Sequence, residues 1–151
     1  MKILVGTMTG TAELVAEEIS DVLIEAGHEV EVEPMDDLGA DAFEGGGIFL
    51  ICTSTYGQGD VPDNAMPFYE ALKEEKPDLS GVRYGVYSLG DRTYLDTFNF
   101  GGKRFDEILS ELGARRLGTL AMHDASAGTV PEEEGADWAM EWVAGFESVP
   151  A

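Results

Sequence analysis

Basic residues are scarce in this 151-residue chain: nine Lys and Arg stand against 30 Asp and Glu, for a formal net charge of -21. Binding to nucleic acid needs cations set against phosphates, so this composition excludes a nucleic-acid partner and argues against adhesion to anionic membranes. Cysteine is almost absent as well. Cys52 is alone, which excludes an intrachain disulfide and agrees with a reducing cytoplasm. Histidine occurs twice, as His28 and His123. No His/Cys cluster has metal-ligand spacing, and no Ser-His-Asp set can be assembled, so neither a metal site nor catalytic residues are expected. No run approaches the roughly 18 apolar residues of a membrane helix. The opening MKILVG runs straight into a strand-like segment and is not read as a signal peptide.

What is present is an alternation of apolar runs and helical patterns. Ile3-Leu4-Val5 reads as a first strand. Leu14, Val15, Ile19, Val22 and Leu23 mark a helix over 11–26, ended by Gly27. Val30 and Val32 alternate with glutamates, as in an edge strand with one wet face. Residues 36–47, acidic and glycine-rich, read as a loop with a helical turn. Ile48 to Cys52 is the most apolar run and reads as the central strand. A helix near Asn64 is stopped by Pro77, and Val82 to Leu89 forms a fourth strand. A helix through Phe105, Ile108, Leu109 and Leu112 is closed by Gly113. Arg116 to Met122 is the fifth strand, and a last helix carries Trp138, Trp142, Val143 and Phe146 behind the acidic lead-in Glu132 to Glu134. Strands separated by helices of this length imply an α/β fold, a five-stranded parallel sheet with helices on both faces. With no internal repeat and no Pro- or Ser-rich linker, residues 1–151 are expected to form a single domain.

In such sheets ligands bind beyond the carboxyl ends of the strands, where the winding reverses. Three segments leave that edge. After the first strand comes Thr7-Met8-Thr9-Gly10-Thr11-Ala12-Glu13, with three hydroxyls, a glycine and the free N–H groups of a helix start: a neutral cradle for a phosphate. It is neither a Walker loop nor a GxGxxG turn. After the third strand comes Thr53-Ser54-Thr55-Tyr56-Gly57-Gln58-Gly59-Asp60. Its Tyr56 is suited to stacking on a flat ring, and its glycines permit close approach of the backbone. After the fourth strand, Leu89-Gly90-Asp91-Arg92-Thr93-Tyr94 and then Phe98-Asn99 bring further aromatics to the same edge. One phosphate loop and two aromatic loops on three adjacent strand ends outline a flat ring with a phosphate tail. The same edge lacks what a phosphorylated receiver domain needs: Gly6-Thr7 and Cys52-Thr53 stand where that domain keeps its acids.

These three loops resemble the FMN-binding loops of the flavodoxin-like domains in cytochrome P450 reductases and sulfite reductases. The stretches Gly59 to Asn64, Pro67 to Leu72 and Lys76 to Ser80 resemble short-chain flavodoxins of the MioC type. The resemblance covers nearly the whole chain. It implies a flavodoxin-like doubly wound sheet of strand order 2-1-3-4-5 and bound FMN. Residue by residue, it places Thr7, Thr9, Gly10, Thr11, Ala12 and the Met8 backbone at the phosphate. Thr55, Tyr56, Gly57 and Gly59, with Thr53, Ser54 and Gln58 beside them, fall on one side of the ring. Leu89, Gly90, Asp91, Tyr94, Phe98 and Asn99 fall on the other, and Asp124 matches an acidic position near the ring edge. Two departures are visible: the stretch from Tyr94 to Asn99 is one residue longer than in the reductases, and Met8 replaces a polar residue. The resemblance further implies a cytoplasmic electron carrier that is not an enzyme. It would act as a monomer, take single electrons from a separate flavodoxin/ferredoxin-NADP reductase-type donor, and pass them to an acceptor redox enzyme with a basic face. An FMN-dependent quinone or nitro reductase is the alternative. Cys52 is expected to be an inert core thiol, and Trp138 and Trp142, four apart, to share a core-facing helix side.

Overall fold

Alternation along three strands builds two cores on opposite faces of one sheet. The computed structural model describes residues 2–6, 11–43, 47–54, 64–90, 100–117, 121–124 and 131–147. Strands β1 (Lys2–Gly6), β3 (Gly47–Ser54) and β4 (Val82–Gly90) are buried on both sides. Leu4, Phe49, Ile51, Tyr84 and Val86 point into one cluster with Met35, Phe43, Phe68, Leu72, Phe105 and Leu109. Their neighbours Ile3, Val5, Leu50, Cys52, Tyr87 and Leu89 point into the other, with Val15, Ile19, Leu23, Trp142 and Val143. The two-residue period of the strand thus sorts each side chain to a face.

Helix α1 (Thr11–Glu25) buries Ala12, Val15, Ala16, Ile19 and Leu23, an apolar stripe at helical spacing. Leu14, which the sequence pattern places on that stripe, is instead 54% exposed. It lies about 100° around the helix from Val15, beyond the reach of the sheet. Val22 is half-buried. The helix ends where Gly27 adopts φ +100, with its N–H on the Ile24 carbonyl and that of His28 on the Leu23 carbonyl.

Strand β2 (Glu31–Pro34) pairs with β1 alone among the described residues, as an edge. The loop expected after it contains two short 3-10 turns, Met35–Asp37 and Ala40–Phe43. Helix α2 (Met66–Glu75) stops at Lys76. This residue takes a left-handed conformation of φ 46 and donates its N–H to the Leu72 carbonyl, so the chain turns one residue before Pro77. Helix α3 (Phe100–Glu111) starts well ahead of the periodic run that announced it and ends at Gly113, φ +103.

The order β2-β1-β3-β4 continues to a fifth position filled by two segments, β5 (Arg115–Arg116) and β6 (Ala121–Asp124). Both pair parallel to β4, as do all strands with their neighbours. The expected order 2-1-3-4-5 is therefore observed, with the fifth position described at Arg115–Arg116 and Ala121–Asp124 and residues 118–120 outside the described residues. Just past β5, the Leu117 carbonyl accepts a hydrogen bond from Trp142 Nε1 at 2.9 Å, which ties helix α4 (Pro131–Glu147) to the sheet. Glu132 to Glu134 belong to the first turn of α4, where the helix dipole favours anions. Trp138 stacks on Trp142 with ring centroids 5.5 Å apart, and both face the core as expected.

Candidate functional site

Register brings the loop-bearing strand ends to one level. Gly6 of β1 lies opposite Thr53 of β3, Ser54 opposite Leu89 of β4, and Gly90 opposite Asp124 of β6. The carboxyl ends of β1, β3, β4 and β6 therefore lie at the same edge of the sheet. The winding reverses between β1 and β3: β2 lies outside β1, and β4 outside β3. That is the position at which doubly wound sheets bind ligands.

Close packing holds these ends together. A Cβ added to Gly6 would stand 2.6 Å from Thr53 Oγ1, 3.2 Å from the Ala65 Cβ and 3.3 Å from the Met35 sulfur. Glycine at this point lets the ends of β1 and β3, the start of α2 and the turn after β2 converge. A Cβ on Gly102 would collide with the Ser88 side chain, so the first turn of α3 lies directly on β4. Helix α1 opens at the same edge. Ala12, in its first turn, is buried, and its carbonyl accepts the Cys52 thiol at 3.4 Å. Burial pushes that thiol up to about 12, so Cys52 is neutral and inert, as its place in the central strand suggests.

Of the expected site residues, Ala12, Thr53 and Leu89 are described in full and are buried at this edge. Thr11 opens α1, Ser54 and Gly90 close β3 and β4, and Asp124 closes β6. Backbone position is described for these four. Thr7, Met8, Thr9, Gly10, Thr55, Tyr56, Gly57, Gln58, Gly59, Asp91, Tyr94, Phe98 and Asn99 lie outside the described residues.

One residue at this edge was legible only as the approach to a helix. In the structure Asn64 bridges instead, its amide donating to the Val5 carbonyl at 3.2 Å and to Asp36 Oδ2 at 3.3 Å. Ala65 holds the N-cap position of α2 without a side-chain cap bond. The signal was an amide just ahead of a helix, which reads locally as a cap.

The electrostatics suit a group held by neutral donors. No Lys or Arg falls between Lys2 and Lys73, so the segments 7–13 and 53–60 contain no cation of their own. What the described edge offers an anion is the N-terminus of the 15-residue α1. A groove lined by Lys73, Lys76, Ile108, Glu111 and Leu112 lies at the opposite end of α2 and α3, away from this edge. Among the described residues no group of His, Cys, Asp and Glu is arranged for a metal ion, and no helix is long and apolar enough to cross a membrane.

Comparison with known proteins agrees with this geometry. The sequence model of the flavodoxin family matches residues 3–138. Flavodoxin YqcA of Escherichia coli is 39% identical over 140 residues, spanning 93% of each chain. Protein MioC of the same species is 40% identical over 141 residues, spanning 91% of this chain and 92% of that one. The NADPH-cytochrome P450 reductase of Oryctolagus cuniculus is 38% identical over 138 residues, which make up 20% of its length. Among solved structures, a cysteine-to-alanine mutant of the flavodoxin from Pseudomonas aeruginosa superposes with a TM-score of 0.83. It is 36% identical and spans 98% of this chain and all of that one.

Proposed function

The chain belongs to the flavodoxin family, and we propose that it holds one FMN at the switch-point edge and carries single electrons from a separate reductase to an acceptor enzyme. Flavodoxins bind FMN and act as electron carriers rather than as enzymes with a substrate site of their own. The carrying observation is the common level of Gly6, Thr53, Ser54, Leu89, Gly90 and Asp124, which sends every loop of the expected site from one edge. The residues described fit FMN: the N-terminus of α1 is available to a phosphate, and the strand ends that flank it meet at one level beside the switch point.

On this reading Thr7, Thr9, Gly10, Thr11, Ala12 and the Met8 backbone hold the phosphate. Thr53, Ser54, Thr55, Tyr56, Gly57, Gln58 and Gly59 line one side of the ring. Leu89, Gly90, Asp91, Tyr94, Phe98 and Asn99 line the other, with Asp124 at its edge. The bound flavin supplies the redox chemistry, and the protein supplies placement and electrostatics. The whole chain acts as one domain, a cytoplasmic monomer. Its donor is a reductase of the flavodoxin/ferredoxin-NADP type and its acceptor presents a basic face, both favoured by the acidic surface.

The test is a visible spectrum of the purified protein during stepwise dithionite reduction under argon. We expect a flavin spectrum, then a long-wavelength band that grows to half-reduction and decays. A colourless protein that does not take up added FMN overturns the proposal. A yellow protein that bleaches directly would instead point to a two-electron quinone or nitro reductase.

A further inference from the structure

Asn64 ties the backbone just before α2 to the end of β1, 59 positions earlier in the chain. It lies immediately after residues 55–63, which leave β3. Its side chain reaches back to the Val5 carbonyl, in the last stretch of backbone before residues 7–10 leave β1. A second bond, to Asp36 Oδ2, fastens it to the turn after β2. The packing at Gly6 is an independent sign of the same junction: Thr53, Ala65 and Met35 crowd the place where its Cβ would be. The end of β1, the end of β3, the turn after β2 and the start of α2 are thus one packed unit, and Asn64 supplies directed bonds within it.

We infer that Asn64 is a positioning residue that sets the first ring loop and the phosphate loop relative to each other, so that ring and phosphate of one flavin are gripped together. The inference rests on the FMN reading above. Asparagine suits this position because its NH2 carries two hydrogens, one for a backbone carbonyl and one for a carboxylate. A leucine of similar size would leave the Val5 carbonyl without this donor, and an aspartate would set a second carboxylate against Asp36.

Riboflavin, which lacks the phosphate, separates the two grips. Dissociation constants of FMN and riboflavin are measured by quenching of flavin fluorescence for the unaltered protein, Asn64→Ala and Ile108→Val. Ile108→Val removes a buried methylene at the far end of α3 and controls for a general loss of stability. We expect Asn64→Ala to weaken FMN about tenfold and riboflavin by much less, with a changed visible circular dichroism of the bound flavin. Ile108→Val should leave all three readouts in place. Equal loss for FMN and riboflavin would overturn the inference, since Asn64 would then serve the ring loop alone. So would unchanged binding accompanied by a lower melting temperature. Failure of the unaltered protein to bind FMN would instead overturn the underlying reading, and this inference with it.

Discussion

Gly85 of β4 has a tryptophan ring where a side chain would be. A Cβ there would stand 2.6 Å from Trp142 Cε2 and 2.7 Å from Cζ2 and Nε1. Trp142 is held by its bond to the Leu117 carbonyl and by the stack with Trp138, so it is poorly placed to give way. Gly85→Ala should therefore cost the 1–3 kcal/mol typical of overpacking, about 2–12 °C in melting temperature for a chain this size. Calorimetry checks this, and an unchanged transition would mean that the tryptophan pair moves freely. Cys52 gives a second prediction at this scale. Its folded pKa of about 12 lies above the ordinary thiol value of 9.0. Above the ordinary value the unfolded chain gives up a proton that the folded chain keeps. The stabilisation is thus intact at neutral pH and is lost as pH rises toward about 12, by up to ~1.4 kcal/mol per pH unit. Tyr84 shifts upward too, through burial and then its hydrogen bond to Asp106, and adds to the alkaline loss. Between about pH 8 and about pH 10.5 the urea midpoint should fall less in Cys52→Ala than in the unaltered protein. Equal falls would remove Cys52 from the cause. The inertness of Cys52 was readable from its place in the most apolar run. The roles of Asn64 and Gly85 were not, because they depend on Val5 and Asp36 in the one case and Trp142 in the other, 28 to 59 positions away.

Helices α1 and α4 meet on one face of the sheet, and Gly135 sets how closely. A Cβ there would lie 2.9 Å from Val15 Cγ1 and 3.3 Å from Ile19 Cδ1. Two effects of Gly135→Ala oppose each other. Alanine gains about 0.8–1 kcal/mol of helix propensity, while forcing the helices apart costs about 1–3 kcal/mol. Packing should win, because Val15 is buried and its branched side chain is stiff. Gly135→Ala alone should thus destabilise. Combined with Val15→Ala, which vacates the space, it should cost less than the sum of the two single changes. Chemical unfolding of all four members of the cycle measures that coupling, and strict additivity would deny the contact. Elements were legible in the sequence where local pattern and tertiary contact agree. β3, β4, α1 and the glycine stops at 27 and 113 are of this kind. The early start of α3 was hidden because Gly101 and Gly102 are poor helix formers; the contact with Ser88 explains the second of them. The end of β5 at Arg116 was hidden because Leu117 gives its carbonyl to Trp142, a partner 25 residues on. The edge that carries the candidate site was legible for a different reason. Its strands end in runs of hydroxyl, glycine and aromatic residues that no core position would select.

Charge acts on the molecule as a whole. If each of the nine cations neutralised one carboxylate, 21 of the 30 would remain. Ion pairs such as Arg116 with Asp106 at 2.8 Å, or Lys2 with Glu33 at 3.4 Å, therefore relieve little of the total. Two consequences of this field run in opposite directions with salt. Self-repulsion is greatest in the compact state, so screening should stabilise the fold, and the melting temperature should rise as NaCl goes from about 0.05 to about 0.5 M. Attraction to a donor with a basic face is screened by the same ions, so the rate of reduction by such a reductase should fall over that range. Specific docking and simple solubility share the first effect but not the second. Stopped-flow reduction by a flavodoxin/ferredoxin-NADP reductase, recorded alongside the melting curve in each buffer, separates them. A rate that falls as the melting temperature climbs assigns the acidic surface a part in electron delivery. A rate that ignores salt while stability climbs leaves the carboxylates with no role beyond keeping the protein dissolved.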